Sequence, residues 1–137
     1  MRALPAVAGA MLVLLAGCET AFVGRAPGGR YGMVAVNGRP PPLTRNAGTE
    51  CPVSLQGGSF DLDSVARRFE LRLTQSGPCA RFRDVVESGS YLRRGGTLHL
   101  ESESPARRSW RGHESGDSIT LDWEGMRLRF RRDPPPR

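Results

Sequence analysis

Lysine is absent from the 137 residues, so all twenty basic side chains are arginines, set against fourteen acids for a net charge of +6. With 17 glycines and 11 prolines, that usage fits a GC-rich coding sequence as readily as a binding function. Aromatic residues are few, at 7%, and hydrophobic residues reach 38%, which is lean but not the profile of a disordered chain. No apolar run is long enough for a dependable membrane helix. The length excludes a large enzyme, a repeat solenoid and a polytopic membrane protein, and leaves room for one ordinary domain. A C-x-x-C redox pair, a G-x-S-x-G nucleophile elbow and a phosphate-binding glycine loop are all missing. From Arg30 onward no window sustains a helical apolar stripe.

What is present begins with a targeting pattern. Met1-Arg2 forms a short positive segment, followed by an apolar run from Leu4 to Leu15. Leu15-Ala16-Gly17-Cys18 matches the bacterial lipoprotein signal at all four positions, which predicts cleavage before Cys18 and lipidation of its thiol. The competing reading is an ordinary signal peptide with a chance cysteine. Each buried methylene of an acyl chain contributes about 0.8 kcal/mol, so two or three chains anchor a protein firmly. Glu19 stands where Asp would signal inner-membrane retention, which implies outer-membrane sorting in a Gram-negative host. Removing residues 1–17 leaves 120 residues with a net charge of +5. Residues 18–29 read as the lipidated cysteine and a flexible tether, 30–132 as the domain and 133–137 as a proline-rich tail.

The domain reads as a strand meander. Ile119, Leu121 and Trp123 alternate with polar residues, as do Met126, Leu128 and Phe130 with arginines. A turn at Glu124-Gly125 pairs Trp123 with Met126, Leu121 with Leu128 and Ile119 with Phe130, all on one face. A preceding strand joined through Gly116-Asp117 sets Gly112 opposite Leu121 and Trp110 opposite Trp123. Three prolines after Asn37-Gly38 predict a stiff loop, not a strand, over residues 39–50.

The central hairpin places the cysteines. With a turn around residues 64–66, Leu62 faces Phe69 and Phe60 faces Leu71, so partner numbers sum to 131. One extra residue at a Gly57-Gly58 bulge lowers the sum to 130, which is also the sum for Cys51 and Cys79. Opposed strand residues lie at a separation a disulfide can bridge, and an exported chain meets an oxidising compartment. A Cys51–Cys79 bond is therefore expected, with two independent buried thiols as the alternative. Strands at 31–36, 53–62, 68–74, 85–93, 97–102, 108–114, 119–123 and 126–131 make about eight antiparallel elements. An all-β, up-and-down barrel follows, because closure removes exposed edges; a half-open barrel or a two-layer sandwich competes.

The stretches GRYGMVAVNGRPPP, GGSFDLDS followed by RFELRLT, SGSYLRRGGTLHL and GDSITLDWEGMRLRFRR together resemble the lipocalin-like bacterial lipoproteins. The likeness spans nearly all of residues 29–132 and rests on order and spacing. Gly29-Arg30-Tyr31 stands where true lipocalins carry G-x-W. The resemblance implies a lipocalin-like barrel.

Candidate chemistry is sparse. His99 and His113 face outward without a partner at a metal-ligand spacing, so no metal site is expected. Asp61 with Asp63, and Glu101 with Glu103, read as solvated charges, the first pair near Arg67 and Arg68. Arg127, Arg129 and Arg131 form one solvent-facing row with Arg132 adjacent, and Arg107, Arg108 and Arg111 lie on the strand reaching the same hairpin. This row is the candidate contact for an anionic surface: lipid phosphates, lipopolysaccharide or an acidic envelope protein. The plain alternative is a solubilising outer face. The inward set of Tyr31, Phe60, Phe69, Tyr91, Trp110, Trp123 and Phe130 favours a filled interior over a ligand cavity. The expectation is a monomeric, lipid-anchored, non-catalytic binding or interaction module without cofactor or nucleic-acid partner. Alternatives are a carrier of a small hydrophobic ligand and an envelope inhibitor of a hydrolase.

Overall fold

Alternation assigns every long strand a wet and a dry face. In β9 (Met126–Arg132), Met126, Leu128 and Phe130 are buried while Arg127, Arg129 and Arg131 are exposed. A computed structural model describes residues 28–81, 83–134 and 137, and no helix occurs among them. The predicted signal, Cys18 and most of the tether lie outside the described residues.

The remaining strands are β1 (Gly29–Val36), β2 (Leu43–Arg45), β3 (Val53–Asp63), β4 (Arg68–Ser76), β5 (Asp84–Arg94), β6 (Thr97–Ser102), β7 (Ser109–Ser115) and β8 (Ser118–Trp123). From β3 onward each pairs antiparallel with the next. β1 pairs with β9 along one edge and with β3 along the other, through Gly29–Leu62 to Gly32–Ser59. The result is a closed eight-stranded antiparallel barrel with β2 as an extra strand. Closure leaves neither β1 nor β9 as a free edge.

The hairpin registers match expectation. Trp123 opposes Met126, Leu121 opposes Leu128 and Ile119 opposes Phe130, while Gly112 opposes Leu121 on the other side. The β7–β8 ladder ends at Gly112, so Trp110 does not pair with Trp123; its partner is Leu100 on β6. In the central hairpin the sum of 131 holds from Asp63–Arg68 to Gly57–Thr74, then falls to 130 at Leu55–Gln75. The extra residue is Gln56, next to the expected glycine pair.

Most strand ends shift from expectation by one or two residues, and two differences matter here. The barrel begins at Gly29, one residue earlier than predicted. The loop over residues 39–50 contains β2, which pairs Leu43 with Leu55 and Arg45 with Val53. The cause is tertiary. After Gly32, β1 continues through a bulge along β9, which leaves the far edge of β3 unpaired, and residues 43–45 fill it.

The interior is packed by Phe60, Phe69, Phe130, Tyr31, Trp123 and the inward strand leucines of β3, β4, β6, β8 and β9, all buried, with Trp110 half-buried. Phe60 sits 6.1 Å from Phe69 and 5.7 Å from Phe130, and Phe69 meets Trp110 edge-on at 6.2 Å. Such tilted contacts are the favoured ring geometry.

Candidate interaction surface

Cys51 and Cys79 are bonded, with Cα atoms 5.1 Å apart, just past the end of the β3–β4 ladder. The bond fastens the 28-residue loop at the open end of that hairpin.

The arginine row lies on the outside of β9, flanked by β8 and β1. Arg127 is engaged: its Nε donates to Asp122 at 3.1 Å, and its backbone N–H donates to the Asn37 side chain at 2.8 Å. Arg129 opposes Thr120 on β8 and Ala35 on β1. Arg131 opposes Ser118 and Gly32. Neither Arg129 nor Arg131 meets a carboxylate among the described residues.

The neighbours predicted to extend this row divide. Arg111 is exposed on the outer face of β7, between His99 and the rest of the patch. Arg108 precedes β7 and is paired with Glu124. Arg107 lies in the turn before it, on a left-handed backbone. Arg132 does not belong to the patch. It has the same strand parity as Phe130, so its half-buried side chain turns inward, 5.3 Å from the Tyr31 ring, and donates to the Tyr31 hydroxyl at 3.1 Å.

The predicted solvated carboxylates are more committed than expected. Asp61 is half-buried and accepts from Arg30 at 2.9 Å, not from Arg67 or Arg68. Asp63 Oδ1 accepts from the N–H groups of Val65 and Ala66 and so closes the β3–β4 turn. Glu103 takes both prongs of Arg68, and this hydrogen bonding, foremost, holds its carboxyl below the usual glutamate range. His99, His113 and Glu101 are exposed, as predicted.

Sequence reasoning missed the polar ends of the barrel. At one mouth Arg93 and Glu114 point inward, joined by two hydrogen bonds of 2.8 and 2.7 Å. Arg93 also lies 5.8 Å from the Tyr91 ring, whose hydroxyl donates to the Asp63 carbonyl at 3.3 Å. Burial pushes the Tyr91 phenol up, and the Glu114 hydrogen bond raises Arg93. Toward the other mouth, half-buried Glu87 accepts from Ser102 at 2.8 Å. Strand parity carried the signal: Arg93 is two residues from inward Tyr91, Glu114 two from inward Gly112, and Glu87 two from inward Gly89.

A groove of about 590 Å³ runs over β5, β6 and β7, lined by Leu92, His99, Glu101, Arg111 and the β3–β4 turn residues Ala66 and Arg67. Leu92 is half exposed there, at 52%. No group of three or more potential metal-ligating side chains gathers among the described residues. No protein-family model matches the chain, and neither a curated protein nor a solved structure matches it.

Proposed function

We propose that the chain is a lipid-anchored cell-envelope lipoprotein, held in the outer membrane by acylated Cys18, whose barrel serves as a non-catalytic binding or interaction module. The observation that carries this reading is the Cys51–Cys79 bond. Structural disulfides persist in exported proteins and are rare in the bacterial cytoplasm, so the bond agrees with the export signal and lipidation motif ahead of it. The packed interior supports an outward-acting module. Phe60, Phe69, Phe130 and Trp123 occupy the space in which a carrier would hold its ligand. Recognition then falls to the outer surface, where the arginine row and the β5–β7 groove are the distinctive features.

Mass spectrometry of the envelope-extracted protein tests the address. A mature chain starting at Cys18 with added acyl mass is expected; an unmodified Cys18 thiol overturns the anchor. Crosslinking in intact cells tests the role. An adduct that disappears when Arg127, Arg129 and Arg131 become Ser supports recognition through that row, and an adduct indifferent to all three argues against it.

A further inference from the structure

The outward charges are unevenly distributed around the barrel. On the outer faces of β7, β8, β9 and β1 stand Arg30, Arg111, Arg127, Arg129 and Arg131, opposed on those strands by Asp122 alone. On the outer faces of β3 to β6 the acids lead: Asp61, Asp63, Glu70, Asp84 and Glu101 against Arg68, Arg72 and Arg94. At the outward strand positions the excess is four positive charges on β7, β8, β9 and β1 and two negative ones on β3 to β6; Arg45 on β2 and the loop charges, among them Arg67, Glu103, Asp117, Glu124 and Asp133, stand outside this count. A solubilising coat mixes its signs; the outward strand positions of this barrel segregate them.

Local pairing sharpens the difference. Arg30, Arg68, Arg72, Arg108 and Arg127 each hold a carboxylate. Arg111, Arg129 and Arg131 hold none among the described residues, and all three lie on the basic half; of the arginines counted on β3 to β6, only Arg94 is likewise without one among the described residues. Beside Arg129 and Arg131 the β1 side offers Gly32, Val34 and Ala35, with an Asp133 carboxylate oxygen over Gly32, and the β8 side Thr120 and Ser118. Asp122 is already engaged by Arg127. Small neighbours leave the Arg129 guanidinium above an uncharged floor, with the Thr120 hydroxyl as a further donor, while on the β1 side of Arg131 the Asp133 carboxylate lies over Gly32. That arrangement suits phosphate oxygens, which take two parallel N–H bonds from one guanidinium.

The position of the anchor selects the source of the phosphate. Cys18 precedes Gly28 by ten residues, a span of about 35 Å at full extension. The chain then enters β1, the strand hydrogen-bonded to β9 through Gly32–Arg131 and Ala35–Arg129. An acyl group at Cys18 thus tethers the barrel by the strand adjoining its unpaired arginines.

We propose that the outer face of β8, β9 and β1 docks on anionic phospholipid headgroups of the anchoring membrane, through Arg129 and Arg131 with Arg111 at the border. This rests on the lipid-anchor reading above. Docking lays the barrel on its side against the bilayer. The outer faces of β4, β5 and β6, across the closed barrel from β9, then face away from the membrane.

The test uses the full chain carrying Cys18→Ser, so that no acyl group masks the headgroup contribution. Its partition is measured into phosphatidylcholine vesicles with and without phosphatidylglycerol. The apolar N-terminal run is present in both arms, so the ratio between them reports charge. With about a third phosphatidylglycerol the ratio rises well above one, and Arg129→Gln with Arg131→Gln lowers it roughly 25-fold, about fivefold per arginine at low salt. Arg68→Gln with Arg72→Gln removes the same net charge from the opposite half and leaves the ratio within about threefold. Thr120→Glu, which sets a carboxylate beside Arg129, lowers the ratio without removing an arginine and guards against a misfolded double variant. Equal losses from both double variants, or a ratio of one for the unchanged surface, overturn the proposal. So does a crosslink to an acidic protein in cells that requires Arg129 and Arg131 while the vesicle ratio does not. The mass of Cys18 decides the anchor and the vesicle ratio decides the face, so the two readings fail separately.

Discussion

Arg93 and Glu114 form a two-pronged ion pair inside one mouth of the barrel, with side-chain exposures of 28% and 19%. They come from β5 and β7, separated by β6, so the pair ties strands that share no ladder. Removing one partner leaves the other charge half-buried without its counterion. Glu114→Ala should therefore cost about 2–3 kcal/mol in equilibrium urea denaturation. Arg93→Met together with Glu114→Met should cost less than the single change, because no charge is stranded. A double variant as unstable as the sum of the singles would show that the two side chains act independently.

Gly89 predicts a sharper loss. A Cβ built on it would lie 1.9 Å from the Glu101 carbonyl oxygen and 2.9 Å from the Ser102 Cα, both backbone atoms of β6. No side-chain rotation relieves such an overlap. Gly89→Ala should destabilise the barrel by about 3 kcal/mol or more, or abolish soluble expression. Gly57, also in a strand, faces open space at its Cβ position, so Gly57→Ala should stay within about 1 kcal/mol of the parent. Thermal unfolding of the two variants side by side separates the close approach of two strands from a general glycine effect.

These two sites mark where sequence reading succeeds and where it stops. Alternation in β8 and β9 fixed their pairing, because Leu121, Leu128, Ile119 and Phe130 leave one register with a dry face. The β3–β4 sums located a bulge and brought Cys51 opposite Cys79 through arithmetic alone. β2 was not legible: residues 43–45 follow three prolines, show no period, and become a strand only because β1 leaves the edge of β3 open. Arg93, Glu114 and Glu87 escape notice, and Arg132 reads as a neighbour of the outer row, for a different reason. Charge argues for the outside and parity for the inside, and at a barrel mouth parity prevails because a long side chain can find a partner there. The arginine row was legible as a row. The pairing of Arg127 with Asp122 follows from the same hairpin register, whereas the Asn37 contact to the Arg127 backbone and the Asp133 carboxylate over Gly32 need the closure of β1 on β9.

The disulfide offers a prediction about stability without change of architecture. Cys51 and Cys79 lie beyond the last rung of the β3–β4 ladder, so the bond restrains the loop without shaping the barrel. Closing 28 residues restricts the unfolded chain by about 3–4 kcal/mol on the chain-entropy account. Cys51→Ser with Cys79→Ser should lower stability by about that amount while far-ultraviolet circular dichroism keeps its all-β form. A loss of the strand signal at low temperature would mean that the bond is needed for folding itself.

Acid should loosen the exposed tie between Arg68 and Glu103. Arg68 stands at the start of β4 and Glu103 just past β6, so the pair bridges across β5. The Arg68 hydrogen bonds hold the Glu103 carboxyl below its usual range; burial opposes them, and the Arg68 charge adds the smallest effect in their favour. A folded-state pKa below the unfolded value near 4.3 means that the contribution to stability is complete above that pH. It is lost progressively as pH falls below about 4 toward the folded-state value. Arg68 itself is raised, so its half of the linkage is lost only at extreme alkaline pH. Carboxyl carbon shifts followed by NMR should show Glu103 titrating below an ordinary glutamate, and Arg68→Ala should return it to the ordinary range. The same substitution should make the decline in melting temperature below about pH 4 shallower, since no paired carboxylate remains at that position to be protonated. An unchanged Glu103 titration in the variant would show that the pair contributes nothing in solution, as many exposed ion pairs do.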